Sequence, residues 1–287
     1  MKTEQRTPRP SHRRIAPTTA LALVFLGVLA GLSIVTSLVT SPSEQDIALR
    51  LLGPSWTHWM GTDSLGRDLF SRVLDGASLS LATGVLTALV ALVFGTAIGG
   101  VAGWKGGIAD RTLVRIIDVF SIFPSVLLAI LLTVFVGRGF TGILLALGLT
   151  GWMQLARLVR AQVMQMKEFP WIEAARAVGA PEWRILLHHL LPNLWSPILI
   201  SLAFQIPTSI LSESFLSFIG LGLEPPMASW GTLAAEGFRA MKSYPHLILF
   251  PGGILFATLL SFQLLAEGLR RTLDPRDASR LQLGGSG

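Results

Sequence analysis

Cysteine is missing from all 287 residues, which excludes disulfides, thiolate metal sites and thiol nucleophiles in any compartment. Charge is scarce as well. Only 14% of the residues are charged while 51% are hydrophobic, whereas a soluble domain carries about a quarter charged residues. With a mean hydropathy of +0.60 the chain belongs in a bilayer. No Gly-x-x-x-x-Gly-Lys-Ser/Thr phosphate loop occurs, so the chain is not expected to hydrolyse nucleotide by itself or to hold a cofactor. His-Glu-x-x-His and Gly-x-Ser-x-Gly are absent too, which removes the commonest zinc-protease and serine-hydrolase readings. His188 and His189 are the one close histidine pair, but neighbours on a helix point in different directions and make a poor metal site.

What the chain does have is long apolar runs. Six segments are long enough to cross roughly 30 Å of hydrocarbon, near residues 17–40, 78–103, 113–136, 140–160, 194–220 and 246–270. The first follows a basic tail, 1–16, as a signal peptide would. Its run is too long for a signal core and no small-x-small cleavage site follows, so it reads as a retained span. The net charge of +6 comes from residues flanking these runs, as the positive-inside rule requires, and does not point to nucleic acid. With the N-tail inside, the inner parts carry 17 Lys or Arg and the outer parts six, which places both termini in the cytoplasm. The expected organisation is a tail over 1–16, a first span over 17–40, an extracytoplasmic segment over 41–77, a five-helix core over 78–272 and a C-tail over 273–287.

In the outer segment, Asp63 or Ser64 is placed to cap a helix, Asp68 and Arg72 form an i, i+4 pair, and Leu65, Leu69 and Val73 make a stripe suited to the membrane interface. This region is a structural lead-in to the second span or, through Asp63, Arg67, Asp68 and Arg72, a contact for a partner protein. Gly95, Gly99 and Gly103 recur at the spacing that lets helix backbones approach closely. Pro124, Pro207 and Pro251 fall inside spans and predict kinked helices around a moving or cavity-lining bundle. An ionisable group in hydrocarbon costs a few kcal/mol or more, so Asp118 and Glu213 are candidates for the translocation pathway. The alternatives are a pairing of Asp118 with Arg111 or Arg115 and a structural pairing of Glu213. The Gly- and Pro-rich run 220–231 is an outer turn with Trp230 as interfacial anchor, or a re-entrant lip.

The most informative stretch is 169–193, which the charge asymmetry places in the cytoplasm. Pro170 suits the first turn of a helix, Glu173 its positive end and Gly179 its close. Trp171, Ala174, Ala175 and Val178 share one face at i, i+3, i+4, i+7, leaving Glu173 and Arg176 on the other side. Pro181 then opens a second helix with Trp183, Leu186, Leu187 and Leu190 as its apolar stripe, and Pro192 ends it.

Glu173-Ala174-Ala175, with Gly179 four residues on and Leu191-Pro192 beyond, resembles the cytoplasmic EAA loop of ABC importer permeases. The family's usual Ile two residues before Leu-Pro is His189 here, and the run through Asn193 is similar to the variant of the peptide and nickel permease subgroup. Gly61-Thr62-Asp63 with Gly66-Arg67-Asp68 and Ser71-Arg72, Leu216–Gly222 with Pro225-Pro226 and Ser229-Trp230-Gly231, and Leu273-Asp274-Pro275-Arg276 resemble the same subgroup, in its "C"-type subunit. The resemblance implies an all-α integral membrane fold, six transmembrane helices with a cytoplasmic coupling-helix loop, that of a type I ABC importer permease. It further implies a bacterial inner-membrane subunit of a binding-protein-dependent importer for di- or oligopeptides, or else for nickel or a metal chelate. The implied partners are membrane lipid, a second permease, two ABC ATPase subunits that bind ATP and Mg, and an extracytoplasmic binding protein. The ATPase would be coupled through Trp171, Glu173, Ala174, Ala175, Arg176, Val178, Gly179, Leu191 and Pro192. Without the resemblance, an ion-coupled transporter using Asp118 and Glu213, or a membrane scaffold, would fit the same spans.

Overall fold

A computed structural model of the chain describes residues 16–39 and 44–273, and within them every regular element is helical. The basic N-tail, apart from Ala16, and the Asp274-Pro275-Arg276 end of the last motif lie outside the described residues. The helices are α1 (Pro17–Val39), α2 (Leu69–Lys105), α3 (Gly107–Ser121), α4 (Ser125–Val136), α5 (Phe140–Met166), α6 (Pro170–Ala177), α7 (Glu182–Arg184), α8 (Leu191–Phe218), α9 (Trp230–Ala240) and α10 (His246–Leu273). A π turn, Ile185–Leu190, joins α7 to α8 without a break. Among the described residues, five helical stretches are long and apolar enough to cross a membrane, and the bent pair of α3 and α4, counted as one span, makes six.

Two ends of the bundle can be told apart from contacts alone. At the loop end, the Ser196 hydroxyl donates to the Leu273 carbonyl at 3.2 Å, Gly268 lies against Thr19 and Gly103 against Arg160. At the far end, Gly76 lies against Ser229 and Gly61 against His246, while the Gly139 N–H donates to the Gly222 carbonyl at 3.2 Å.

The axis of the bundle is the α2–α5 pair. Gly95, Gly99 and Gly103 do what their spacing implied: a Cβ at Gly95 would stand 2.8 Å from the Leu155 Cβ, one at Gly103 2.7 Å from the Arg160 carbonyl, and one at Gly99 would meet the Ala156 backbone. Around this pair lie four apolar clusters. The largest at the far end gathers Leu69, Val73, Ala77, Ile210, Trp230, Leu233 and Leu247. The one at the loop end gathers Val159, Val163, Ile172, Ile185, Leu190, Leu194 and Ile198. Smaller clusters seat α3 and α4 on Met153 and Ala156, and seat Leu216 and Leu223 on Ile143 and Leu147.

Four boundaries differ from the sequence expectation. The second span begins at Leu69, not near 78, because Asp68 caps it: its Oδ2 accepts from the Ser71 N–H at 2.8 Å and the Ser71 hydroxyl at 2.9 Å. At 37 residues this helix is ~55 Å long, well beyond the hydrocarbon thickness. The third span is broken: α3 and α4 meet at 88°, since Pro124 has no N–H to continue α3 and disfavours helix at Phe123. Pro207 and Pro251, by contrast, sit inside continuous helices. Pro192 does not end a helix either. The chain widens into the π turn ahead of it, with the Leu191 N–H reaching the Leu186 carbonyl, and α8 starts there with Pro192 in its first turn, where no N–H is needed. Finally, the outer turn ends at Ser229 and gives way to α9, capped by reciprocal Ser229–Thr232 bonds.

Candidate functional site

Residues 169–193 form a compact projection at the loop end. Its core is α6, eight residues long with Pro170 in its first turn and Glu173 near its positive end. The C-terminus closes as a Schellman motif: the Ala180 N–H donates to the Ala175 carbonyl at 3.1 Å and the Gly179 N–H to the Arg176 carbonyl at 2.9 Å. Gly179 has φ +81 and nothing within 4 Å of a would-be Cβ, so backbone conformation, not space, demands glycine there. A free helix this short is marginal in water. Ile172 is what holds it, fully buried in the apolar cluster of α5 and α8.

The face expected from the sequence is divided in the structure. Trp171, Ala174 and Val178 are exposed at i, i+3, i+7, whereas Ala175 is half-buried and packs inward with Ile172. Glu173 is exposed. The Arg176 guanidinium lies 5.1 Å from the centre of the Trp104 ring on α2 and donates to both carboxylate oxygens of Glu182 at 3.2 and 3.4 Å. Of the stripe expected on the second helix, Leu190 is buried and Leu186 half-buried in the core, whereas Trp183 and Leu187 are exposed, because the π turn brings Ile185 inward in their place. Leu191 is half-buried beside them and Pro192 is exposed. The projection thus offers Trp171, Glu173, Ala174 and Val178 to anything that meets it.

The two intramembrane carboxylates part company. Asp118 is exposed and accepts from Arg157 Nη2 at 3.2 Å, rather than from Arg111 or Arg115. Arg157 also donates to the Ser121 hydroxyl at 2.9 Å. Glu213 is fully buried in a nest of hydroxyls: Ser217 donates at 2.7 Å, Ser80 at 3.2 Å and Ser214 at 3.3 Å. It faces the packed interior where α8, α2 and the start of α9 meet. Nothing in the single letters of Ser80, Ser214 and Ser217 announced this nest, although Ser214 and Ser217 sit one and four residues from Glu213 on the same helix.

The outer segment is turned inward as well. Asp63 Oδ1 closes the turn by accepting from the Leu65 and Arg67 N–H groups at 2.8 and 3.0 Å. Its Oδ2 accepts from Arg67 Nε and Arg72 Nη1, both at 2.6 Å. Arg72 reaches on to Glu236 of α9 at 2.6 and 3.2 Å. The expected Asp68–Arg72 pair is therefore not made; Asp68 faces His58 Nδ1 at 3.0 Å. Leu69 and Val73 are core residues, not an interfacial stripe. Trp230 is not an interfacial anchor but a buried one, its indole N–H donating to the Val73 carbonyl at 3.0 Å. Glu236 escaped the sequence reading because α9 did.

Comparison with known proteins follows the same lines. Residues 95–277 match the family described as binding-protein-dependent transport system inner membrane component. The glutathione transport system permease protein GsiD of Pectobacterium atrosepticum is 43% identical over 78% of this chain and 74% of its own length. The dipeptide transport system permease protein DppC of Bacillus subtilis is 40% identical over 93% and 84%. Among solved structures, the inward-facing MetNI methionine ABC transporter superposes with a TM-score of 0.56 at 20% identity, over 70% of this chain and 96% of that one, a likeness of fold.

Proposed function

The chain belongs to the binding-protein-dependent transport system inner membrane components, and on that premise we propose that it is the permease subunit of an ATP-driven importer of short peptides. The peptide cargo is supported by relatives named for dipeptide and glutathione transport. In this reading the loop end, with Lys105, Arg111, Lys167, Arg184, Arg270 and Arg271, faces the cytoplasm. The far end meets a substrate-binding protein. A second permease completes the passage, and two ATPase subunits bind ATP and Mg and supply the power stroke.

The observation that carries the proposal is the projection 169–193: a short helix closed by a Schellman turn, fixed to the core by one buried Ile172 and presenting Trp171, Glu173, Ala174 and Val178 outward. Small exposed residues permit close approach of a cleft wall, and the anchored side passes its motion to the bundle. Closure of the ATPase pair around ATP then rocks the helices between two arrangements.

Gly179→Arg tests this. At φ +81 a β-carbon costs about 1–2 kcal/mol, and the long side chain obstructs a docking face. The variant is expected to insert into the membrane normally yet to lose co-purifying ATPase or ATP-driven dipeptide uptake in vesicles. Wild-type uptake by this variant would refute docking through the loop, and uptake surviving a hydrolysis-dead ATPase would favour an ion-coupled mechanism.

A further inference from the structure

Most exposed side chains on the spans are apolar, as lipid contact requires: Leu21, Val24, Val28 and Leu38 on α1, Leu145 and Leu149 on α5, and Leu199 on α8. Two stripes depart from this. On α5, Thr150, Gln154 and Arg157 recur at i, i+4, i+7, opposite the face that packs on the glycines of α2. On α8, Gln205, Thr208 and Ser212 recur at i, i+3, i+7. All six are exposed or only half-buried.

The stripes adjoin, because the Gln205 amide nitrogen lies directly over Gly151 on α5, one turn from Gln154. Gln154 and Gln205 sit near the midpoints of their helices, where an unsatisfied amide is most costly in hydrocarbon. The Gln205 Nε2 is buried without a hydrogen-bond partner among the described residues. Thr208 and Ser212 bond their hydroxyl hydrogens to the carbonyls of Phe204 and Thr208 at 3.0 and 2.8 Å, which leaves their oxygens free to accept. At the edge, Arg157 holds Asp118 at 3.2 Å, both side chains at least half exposed. An exposed ion pair and a buried orphan amide on adjoining faces, beside hydroxyl oxygens that can still accept, suit water or a polar solute rather than lipid.

We propose that the Thr150–Gln154–Arg157 face of α5 and the Gln205–Thr208–Ser212 face of α8 line the wall of the passage, with Asp118 at its rim, and that the wall suits an amide-bearing solute without net charge. The chemistry selects that class. Glutamine amides and hydroxyls offer donors and acceptors to peptide groups, and the one charged element is a neutralised pair that can exchange partners with an ammonium and a carboxylate. A wall of one charge sign, which a bare cation would call for, is not what these faces present. This assignment rests on the importer reading above and removes Glu213 from the pathway.

The absence of cysteine makes the test direct. Single replacements Gln154→Cys, Thr208→Cys and Ser212→Cys are compared with Leu149→Cys and Leu199→Cys, exposed apolar positions on other faces of the same two helices, in the assembled transporter in vesicles, using a water-soluble methanethiosulfonate reagent and the cysteine-free subunit as background. The stripe positions are expected to label at least about tenfold faster than the apolar controls, labelling is expected to slow in the presence of a dipeptide, and modification is expected to block uptake. If Gln154→Cys fails to assemble, Thr208→Cys carries the test, since its hydroxyl bonds only its own helix. Labelling at the control rate in an assembly that still imports dipeptide overturns the wall and leaves the importer standing. Fast labelling in an assembly whose cysteine-free parent imports no peptide overturns the reading beneath it.

Discussion

Replacing Arg72 by Met should be among the most damaging single changes at the far end, and its size can be worked from the ion cluster. Arg72 is 4% exposed and Asp63 5%, while Glu236 is 39% exposed. The cluster is neutral, with Arg67 and Arg72 against Asp63 and Glu236. Loss of Arg72 leaves Asp63 buried with one of its two guanidinium partners, and breaking a buried pair in this way costs about 3–5 kcal/mol. The share owed to Glu236 is discounted to roughly 0–1 kcal/mol because water screens it. An overall loss of about 3 kcal/mol should lower the midpoint of thermal unfolding in detergent by roughly 5–10 °C, read by the loss of helical circular dichroism. The decisive measurement is the double-mutant cycle. Asp63→Leu alone leaves Arg67 and Arg72 short of a counter-charge, whereas Arg72→Met with Asp63→Leu removes both signs together, so the double variant should recover about 1–3 kcal/mol of the summed losses. Strict additivity of the two single changes would refute the claim that these side chains form one cluster that ties 61–72 to α9.

Two further outcomes follow from the packing. Glu213→Gln keeps an acceptor for Ser217 and should transport close to the wild-type rate in vesicles, whereas Glu213→Leu strands three hydroxyls at about 1–3 kcal/mol each and should reduce folded yield; normal assembly with abolished uptake in Glu213→Gln would return this residue to the pathway. Gly99→Leu forces a side chain into the Ala156 backbone, which should cost about 1–3 kcal/mol or more and diminish recovery from detergent, while the same change at Gly100, where a Cβ meets nothing within 4 Å, should leave recovery unaltered.

How much of this could be read from the letters depends on the range of the interaction. Hydropathy and helix-end chemistry are local, so the apolar runs, the glycine stripe of α2 and the Pro170-to-Gly179 helix were all legible. Asp68 shows the limit. At i, i+4 from Arg72 it looked like a pair, but a cap on Ser71 and a contact with His58 compete locally, and Asp63 and Glu236 hold Arg72 through the tertiary fold. Trp230 shows the same limit: an outer-loop tryptophan suits an interface, yet the helix that follows Ser229 carries it into the core. Pro192 misled in the opposite way. A proline after an apolar stripe usually ends a helix, but at the first turn of α8, behind a wider π turn, it begins one.

That π turn also fixes how the projecting loop is joined to the bundle. With i, i+5 bonding, Ile185 and Leu190 both enter the cluster that holds Ile172 of α6, Val159 and Val163 of α5 and Leu194 of α8. Arg176 adds a contact to Trp104 of α2. A push on α6 therefore meets three long helices through one packed body, not through a flexible tether. Ile172→Ala should separate docking from transmission, because the exposed residues Trp171, Glu173, Ala174 and Val178 are untouched while a fully buried side chain is removed, at a cost of about 2–5 kcal/mol. The expected phenotype is an assembly that retains its ATPase and hydrolyses ATP but imports less dipeptide per ATP consumed. If uptake and hydrolysis fall in the same proportion, or if the ATPase no longer co-purifies, Ile172 serves only to fold the loop and the transmitting contact lies elsewhere.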